Sequence, residues 1–318
     1  MLGFASHGVR EGQYQLVFAS RQHRDNKFCA LYSVQGRSGH HSTFGLHLPD
    51  WRDGVARMLR EILKTAPPEF TQHARNPANS VRIGGKNVVF SPAYGSPFVM
   101  DLDRGRRFGT LDDFQNFIKL AQSSPNFHHS GGTICEPTDI PVNKRHLDML
   151  HAHMTLSDKP YMGSVTEPSR AADSVEMSKI LFGDKFVDEN TVMTSLVNIN
   201  SPLTFDPIMM DALEVYAAAN QACIVSPFIV GGAMAPVSVA GTLTQVLAEV
   251  LVAVAYSQMI RPGAQVIFGA FVTSIDMNSG APTFGTPEAS HITYGAGQLA
   301  RRLGLQAYRF HGCCHTRP

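Results

Sequence analysis

Three stretches of the chain end apolar runs on residues able to do chemistry. In Leu196-Val-Asn198-Ile-Asn200-Ser201, two asparagines alternate with apolar neighbours. In an extended chain, the period of two puts Asn198 and Asn200 on one face. They could hydrogen-bond a ligand, or they could cap the turn ahead of Asp206. In Ser226-Pro-Phe228-Ile-Val-Gly231-Gly232-Ala-Met234-Ala-Pro236, a glycine turn leads toward a helix. A helix N-terminus offers backbone N–H groups to an anion; a simple tight turn explains the glycines equally well. The third stretch, Phe271-Val-Thr-Ser-Ile-Asp276-Met277, runs into a Ser-Gly-Ala-Pro turn. Aromatic faces attract quaternary ammonium groups, and Phe228, Phe271, Tyr161 and Tyr294 fall near these ends, although core packing is the ordinary use of such rings. Glu249 stands in an apolar helix. It reads as an anchor for a backbone group or a buried arginine rather than as a catalytic acid.

Other chemistry finds no frame. His311-Gly-Cys313-Cys314-His315 resembles a zinc cluster, but its spacing is too tight for all four side chains to ligate one tetrahedral ion. No G-x-S-x-G elbow, H-E-x-x-H pair or framed Cys/His couple occurs. Catalytic residues are left unassigned and no metal ligands are expected.

What must position these stretches is an alternation of strands and helices. Strands are expected at 126–134, 160–166, 194–202, 222–232, 264–275 and 305–310, separated by helices over 143–157, 169–183, 206–221, 237–260 and 286–304. A helix capped by Thr110 precedes them, with acids in its first turn. Earlier still, Trp51–Lys64 carries apolar residues at helical spacing, and Tyr94–Pro97 reads as a hairpin turn. The strands at 222–232 and 264–275 are nearly continuous apolar runs, as expected when both faces are buried. Such alternation means a parallel sheet with right-handed crossovers. A doubly wound sheet and a (β/α)8 barrel both fit. The chain lacks G-x-G-x-x-G and G-x-x-x-x-G-K-[ST] phosphate loops, which favours the barrel, with about six of its eight strands present.

Composition sets the outer bounds. The chain has 318 residues, 43% hydrophobic and 17% charged, enough for a sizeable core and too apolar for a disordered protein. Lys and Arg number 27 against 26 Asp and Glu, which argues against a dedicated nucleic-acid binder. Five scattered cysteines and no secretory signal fit a reduced, cytoplasmic protein. The most apolar segment, Val237–Ile260, holds Glu249 at its centre, so a core helix is expected rather than a membrane span.

Several longer stretches carry a family likeness: PPEFTQHARNPANSVRIGGKNVVF (67–90), MDLDRGRRFGTLDDF (100–114), NINSPLTFD (198–206), GGAMAPVSVAGTLTQVLAEVL (231–251), SGAPTFGTPE (279–288) and QLARRLGL (298–305). The text from about Trp51 to Leu305 resembles the trimethylamine methyltransferase family of corrinoid-dependent enzymes. That resemblance implies a (β/α)8 barrel that moves a methyl group from a tertiary or quaternary amine to the cobalt of a separate corrinoid protein. The corrinoid would come with the partner, and none would be bound by this chain itself. Trimethylamine members carry pyrrolysine, which is absent here, as in members acting on glycine betaine; its stretch would lie at or beyond Leu305. Asn198, Asn200, Ser201, Phe228, Gly231, Gly232, Met234, Phe271, Asp276 and Tyr294 become the candidate substrate-binding residues. The aromatic rings would face the cation, and Asn200, Ser201 or the 231–234 loop would face a carboxylate.

The likeness divides the chain into a non-family arm (1–50), a partial barrel (51–305) and a divergent tail (306–318). The His-, Arg- and Ser-rich ends have the look of text read in another frame, so a truncated and inactive product is one alternative expectation. Another is a zinc-dependent thiol methyltransferase using His311 and Cys313. Assembly with further copies of the chain is left open.

Overall fold

In a computed structural model, residues 61 and 63–307 are described in full, together with the backbone of 19–22, 28–35 and 41–44. The expected helix at Trp51–Lys64 falls almost wholly outside the described residues, and the His311–His315 cluster does so entirely.

Near the start, β1 (Ala19–Gln22), β2 (Phe28–Gln35) and β3 (His41–Phe44) form an antiparallel meander. Two hairpins follow: β4 (Glu69–Gln72) with β5 (Val81–Gly84), and β6 (Phe98–Asp101) with β7 (Gly105–Phe108). The expected turn at Tyr94–Pro97 is therefore displaced to Asp101–Gly105. There Asp101 Oδ1 accepts from the N–H groups of Asp103 and Arg104 at 3.1 and 2.6 Å. Gly105 supplies the left-handed φ of +66° that closes the turn.

Helix α1 (Leu111–Ser123) opens on a capping box: the Thr110 hydroxyl accepts from Asp113 N–H, and the Asp113 carboxylate accepts from Thr110 N–H. After α2 (Val142–Leu156), the chain alternates through β8 (Tyr161–Met162), α3 (Pro168–Phe182), the short α4 (Asp184–Glu189), β9 (Met193–Ile199) and α5 (Pro207–Ala218). It continues with β10 (Ala222–Gly231), α6 (Val239–Ile260), β11 (Val266–Phe268), β12 (Phe271–Ile275), β13 (Pro282–Thr283), α7 (Pro287–Arg302) and β14 (Gln306–Ala307).

Strands β8, β9, β10, β11 and β14 pair in parallel in that order, and β12 continues alongside β10 where β11 ends. Their order across the sheet repeats their order along the chain, with no reversal. An open doubly wound sheet requires a reversal, because its ligand crevice forms where strand order switches.

Both faces of this sheet are covered. Met162, Leu196, Ala222, Ile224 and Ile267 pack with Phe70, Ile83 and Tyr94 on one side. Val197, Cys223, Val225, Ile229, Val266 and Phe268 pack with residues of the helices on the other. Alternation between two apolar environments is what makes β10 read as a continuous hydrophobic run.

Two strand expectations are corrected. Residues 126–134 are not a regular strand: Gly131 takes a φ of +98°, and the His129 ring accepts from its N–H. The segment still runs beside β8, donating from Ser130 N–H to Pro160 O and accepting at Gly131 O from Met162 N–H. The run 264–275 splits at Gly269, whose N–H donates to Val225 O at 2.8 Å. A Cβ at Gly269 would lie only 2.7 Å from that oxygen, so no other residue fits there without displacing β10.

Helix α6 is long and apolar enough to cross a membrane by length and composition. It instead lies on β10, between α5 and α7, with Val246, Val250, Ala253, Val254 and the acidic residue Glu249 fully buried.

Candidate strand-end site

The register of β9, β10 and β12 assembles a crest at their carboxyl ends. By the period of two, Asn198 continues the face of Leu196, and Phe228 continues that of Ile224. Both thus extend the face that packs with Phe70 and Met162. Phe228 stands opposite Phe271 in the ladder, and their rings lie 5.1 Å apart at 30°. Phe284, just after β13, stacks on Phe271 at 5.7 Å and 24°. Asn198 and Asn200 are exposed on either side of the buried Ile199. The crest therefore offers three aromatic rings in a row and two uncharged amides. Phe284 was missed in the sequence; its signal lay in the Ala-Pro-Thr-Phe-Gly segment, which returns antiparallel to β12.

The other candidates fall elsewhere or are already engaged. Ser201 is buried and donates to Glu249 Oε2 at 2.6 Å. In the 231–236 loop, Gly232 N–H donates to Ala235 O, while Ala233 and Met234 N–H donate to Val230 O. These donors are occupied within the turn, so the loop does not form the anion cradle that its glycines suggested. Asp276 shapes its own turn, accepting from Asn278 N–H and the Ser279 hydroxyl at 3.0 and 2.7 Å. Those hydrogen bonds, the Ser279 hydroxyl first, hold its carboxyl below the usual range. Tyr294 sits in the middle of α7, 55% exposed. The buried stripe of that helix is Ile292, Ala296 and Ala300, and a step of two residues turns Tyr294 to the opposite side. The structure does not bring it to the crest. Tyr161 is buried on the helix-facing side of the sheet, its hydroxyl 2.8 Å from Ser178 Oγ. Glu249 is the anchor expected of it, and it holds backbone rather than arginine: Oε1 accepts from Leu203 N–H at 2.9 Å.

A cleft of about 80 Å³ lies beside β8, between the 131–136 segment and α2. Gly132 and Met162 belong to its wall, with Arg145, His146, Ser164 and Arg170 among the polar lining. Arg145 donates to Glu136 at 2.6 Å and to Ile140 O. His146 Nε2 lies 2.8 Å from Asp173, and Arg170 donates to Thr166 Oγ1 at 3.0 Å. His153, also part of the lining, donates through Nε2 to Gly132 O at 2.9 Å, and Ser130 Oγ lies 3.0 Å from its Nδ1. Burial pushes His153 down to about 4 and His129 down to about 3, so both rings are neutral at pH 7. Burial likewise raises the Tyr94 phenol. The charged groups of the cleft are paired and the rest of its lining is mainly apolar, whereas the rings and amides of the crest carry no formal charge. Among the described residues no cluster of three or more His, Cys, Asp or Glu side chains could hold a metal ion.

Comparison with known proteins gives this geometry a setting. The family model of trimethylamine methyltransferase (MTTB) matches residues 55–316. A glycine betaine methyltransferase of Desulfitobacterium hafniense is 48% identical over 244 residues, covering 76% of this chain and 51% of that protein. A trimethylamine methyltransferase of Methanosarcina barkeri is 37% identical over 268 residues, covering 79% and 52%. A proline betaine:corrinoid methyltransferase of Eubacterium limosum is 25% identical over 260 residues, covering 78% and 53%. The chain spans about half the length of the curated relatives it matches.

Proposed function

The chain belongs to the trimethylamine methyltransferase family, and from that premise we propose that it takes a methyl group from a quaternary amine of the betaine class and delivers it to the cobalt of a corrinoid carried by a separate protein. Strands β8 to β14 are then one arc of a (β/α)8 wall, and the crest lies where such barrels place their chemistry. A corrinoid in its Co(I) state supplies a strong nucleophile when the partner docks.

One observation carries this reading: the row Phe228–Phe271–Phe284 beside Asn198 and Asn200, with no free acid or base among them. A trimethylammonium group sits well against aromatic faces. When its methyl group leaves, the N–CH3 bond breaks and the electron pair stays on nitrogen. The product is a neutral tertiary amine, and no proton changes hands. A site that only orients a cation and excludes water is sufficient for this. A tertiary amine such as trimethylamine can react in this way only while it carries its proton, because the free base would have to expel an amide anion, and the crest has no group to hold that proton on the amine. The exposed, uncharged crest also suits the close approach of a partner's cofactor. The amides of Asn198 and Asn200 suit a betaine carboxylate better than the 231–234 loop does.

The test is methylation of Co(I)-cobalamin by glycine betaine, carnitine and trimethylamine in parallel, at equal concentration and pH 7. Glycine betaine is expected to react and trimethylamine to be inert. Preference for trimethylamine, or no transfer from any of the three by a soluble sample, would overturn the reading.

A further inference from the structure

We propose that Gln245 and Glu249, one turn apart on α6, are positioning residues that lock the two strand-end loops of the crest to each other. One loop, residues 200–204, follows β9; the other, residues 231–236, follows β10. The Gln245 amide nitrogen bridges them through its two hydrogens. It donates to Met234 O at 3.0 Å and to Glu249 Oε1 at 3.0 Å. The same carboxylate oxygen accepts from Leu203 N–H at 2.9 Å, and Oε2 accepts from the Ser201 hydroxyl at 2.6 Å. A continuous line of hydrogen bonds thus runs from the Met234 carbonyl to the Leu203 amide, through two side chains.

Two features make this more than ordinary core filling. First, Glu249 is fully buried, and a polar side chain is retained in a core only when hydrogen bonds replace its lost water. All three donors that do so come from the helix itself or from the loop beyond Asn200. Second, Leu203 has a φ of +56°, a left-handed conformation that a branched side chain resists. Such a residue persists where its surroundings over-determine it, and these places cluster at ligand-binding segments. The bond from Leu203 N–H to Glu249 supplies that constraint. Thr242 adds a second tie from α6 to the other loop, donating to Pro236 O at 2.8 Å. Because the 200–204 loop carries the exposed Asn200 and the 231–236 loop follows Phe228, the clamp fixes the amide side of the crest relative to its aromatic side.

The clamp stands on geometry alone; its effect on catalysis rests on the proposed function. The experiment has two arms so that the two can fail separately. The first is backbone amide hydrogen exchange on the free protein, comparing wild type with Glu249→Gln and Gln245→Leu. Each substitution keeps the side chain's approximate volume, which guards against simple unfolding, and the far-UV spectrum and melting curve check this. Gln245→Leu touches no atom of the 200–204 loop, yet it is expected to speed exchange at Leu203 and Thr204 about tenfold, as well as at residues 232–234. Faster exchange confined to 232–234 would overturn the clamp. The second arm is kinetic. Both variants should raise KM for glycine betaine about tenfold, and the double variant should be no worse than the poorer single one, as expected for residues acting as a unit. Additive losses would again overturn the clamp. If the wild type transfers no methyl group, the proposed function fails, and the exchange arm still decides whether the loops are coupled.

Discussion

The cleft beside β8 and the crest on β9, β10 and β12 share one end of one sheet, and they are built on opposite principles. In the cleft, Glu136 meets Arg145, Asp173 meets His146, and Thr166 meets Arg170. In its lining, His153 ties Ser130 to Gly132. Its polar groups largely answer one another. On the crest, the aromatic rings stack on each other, and the amides of Asn198 and Asn200 face outward. A ligand recognised by the charges of the cleft would compete with those ion pairs; the rings and amides of the crest take part in none. Number of charged residues is therefore a poor guide to which of two neighbouring regions binds a substrate. On the reading proposed above, groups without charged partners are the better guide: the rings and amides of the crest, set against a cleft in whose lining His146 Nδ1 is the buried polar atom left without a partner.

Acid should break this contrast most severely, because it acts on the cleft's support and not on the crest. His153 and His129 are buried and neutral, with pKa values near 4 and 3 in the fold against an ordinary value of 6.5. Below pH 6.5 the unfolded chain takes up protons that the folded chain refuses. Stability is thus fully present above that value and falls as the pH drops toward 4. The slope is at most about 1.4 kcal/mol per pH unit for each histidine. Urea midpoints measured between pH 7 and pH 4 should decline through this window, and His153→Gln should flatten part of the decline. A midpoint that stays level down to pH 4.5 would show that the buried histidines do not govern the fold at this end.

How much of each region could be read in advance follows from how local its signals are. The Thr110 capping box, the Asp206-Pro207 helix start and the apolar run of β10 are written in a few adjacent residues, and each appears where expected. Phe228 and Phe271 were legible as ends of apolar runs, and Glu249 as a backbone anchor. Phe284 was not, because its place depends on β13 folding back along β12. The cleft was half legible. Gly132 lies within the expected strand 126–134, but Arg145 and His146 look like ordinary helix-surface residues until α2 packs beside β8. The segment 126–134 failed as a strand where the His129 ring accepts from Gly131 N–H two residues on, a local side-chain hydrogen bond that competes with a ladder. Tyr294 was misplaced for a related reason. Nearness in sequence to a strand end says nothing about which side of the following helix a ring takes.

A smaller effect sharpens the crest itself. Phe271 is the middle ring of the row, so removing its π-face should weaken cation binding without emptying the site. Phe271→Leu keeps most of the apolar volume and loses the quadrupole. Against wild type, its KM for glycine betaine should rise about tenfold, the equivalent of about 1.4 kcal/mol and within the range of one desolvated cation–π contact. Its binding of a neutral isostere carrying a tert-butyl group in place of trimethylammonium should change less than about twofold. Equal losses for both ligands would mean that the row acts by shape alone.

The smallest effect separates the crest from the rest of the surface. Tyr294 has the aromatic face that a cation would accept, but it stands on α7 opposite the Ile292–Ala296–Ala300 stripe. Position, not residue type, is what excludes it. Tyr294→Ala should therefore leave KM for glycine betaine within about twofold of wild type. The comparison with Phe271→Leu is then between two aromatic residues, one on the crest and one off it, under one assay. If Tyr294→Ala raised KM as much as Phe271→Leu, the substrate would have to reach the outer face of α7. The strand-end crest could not then be the place where the cation is held.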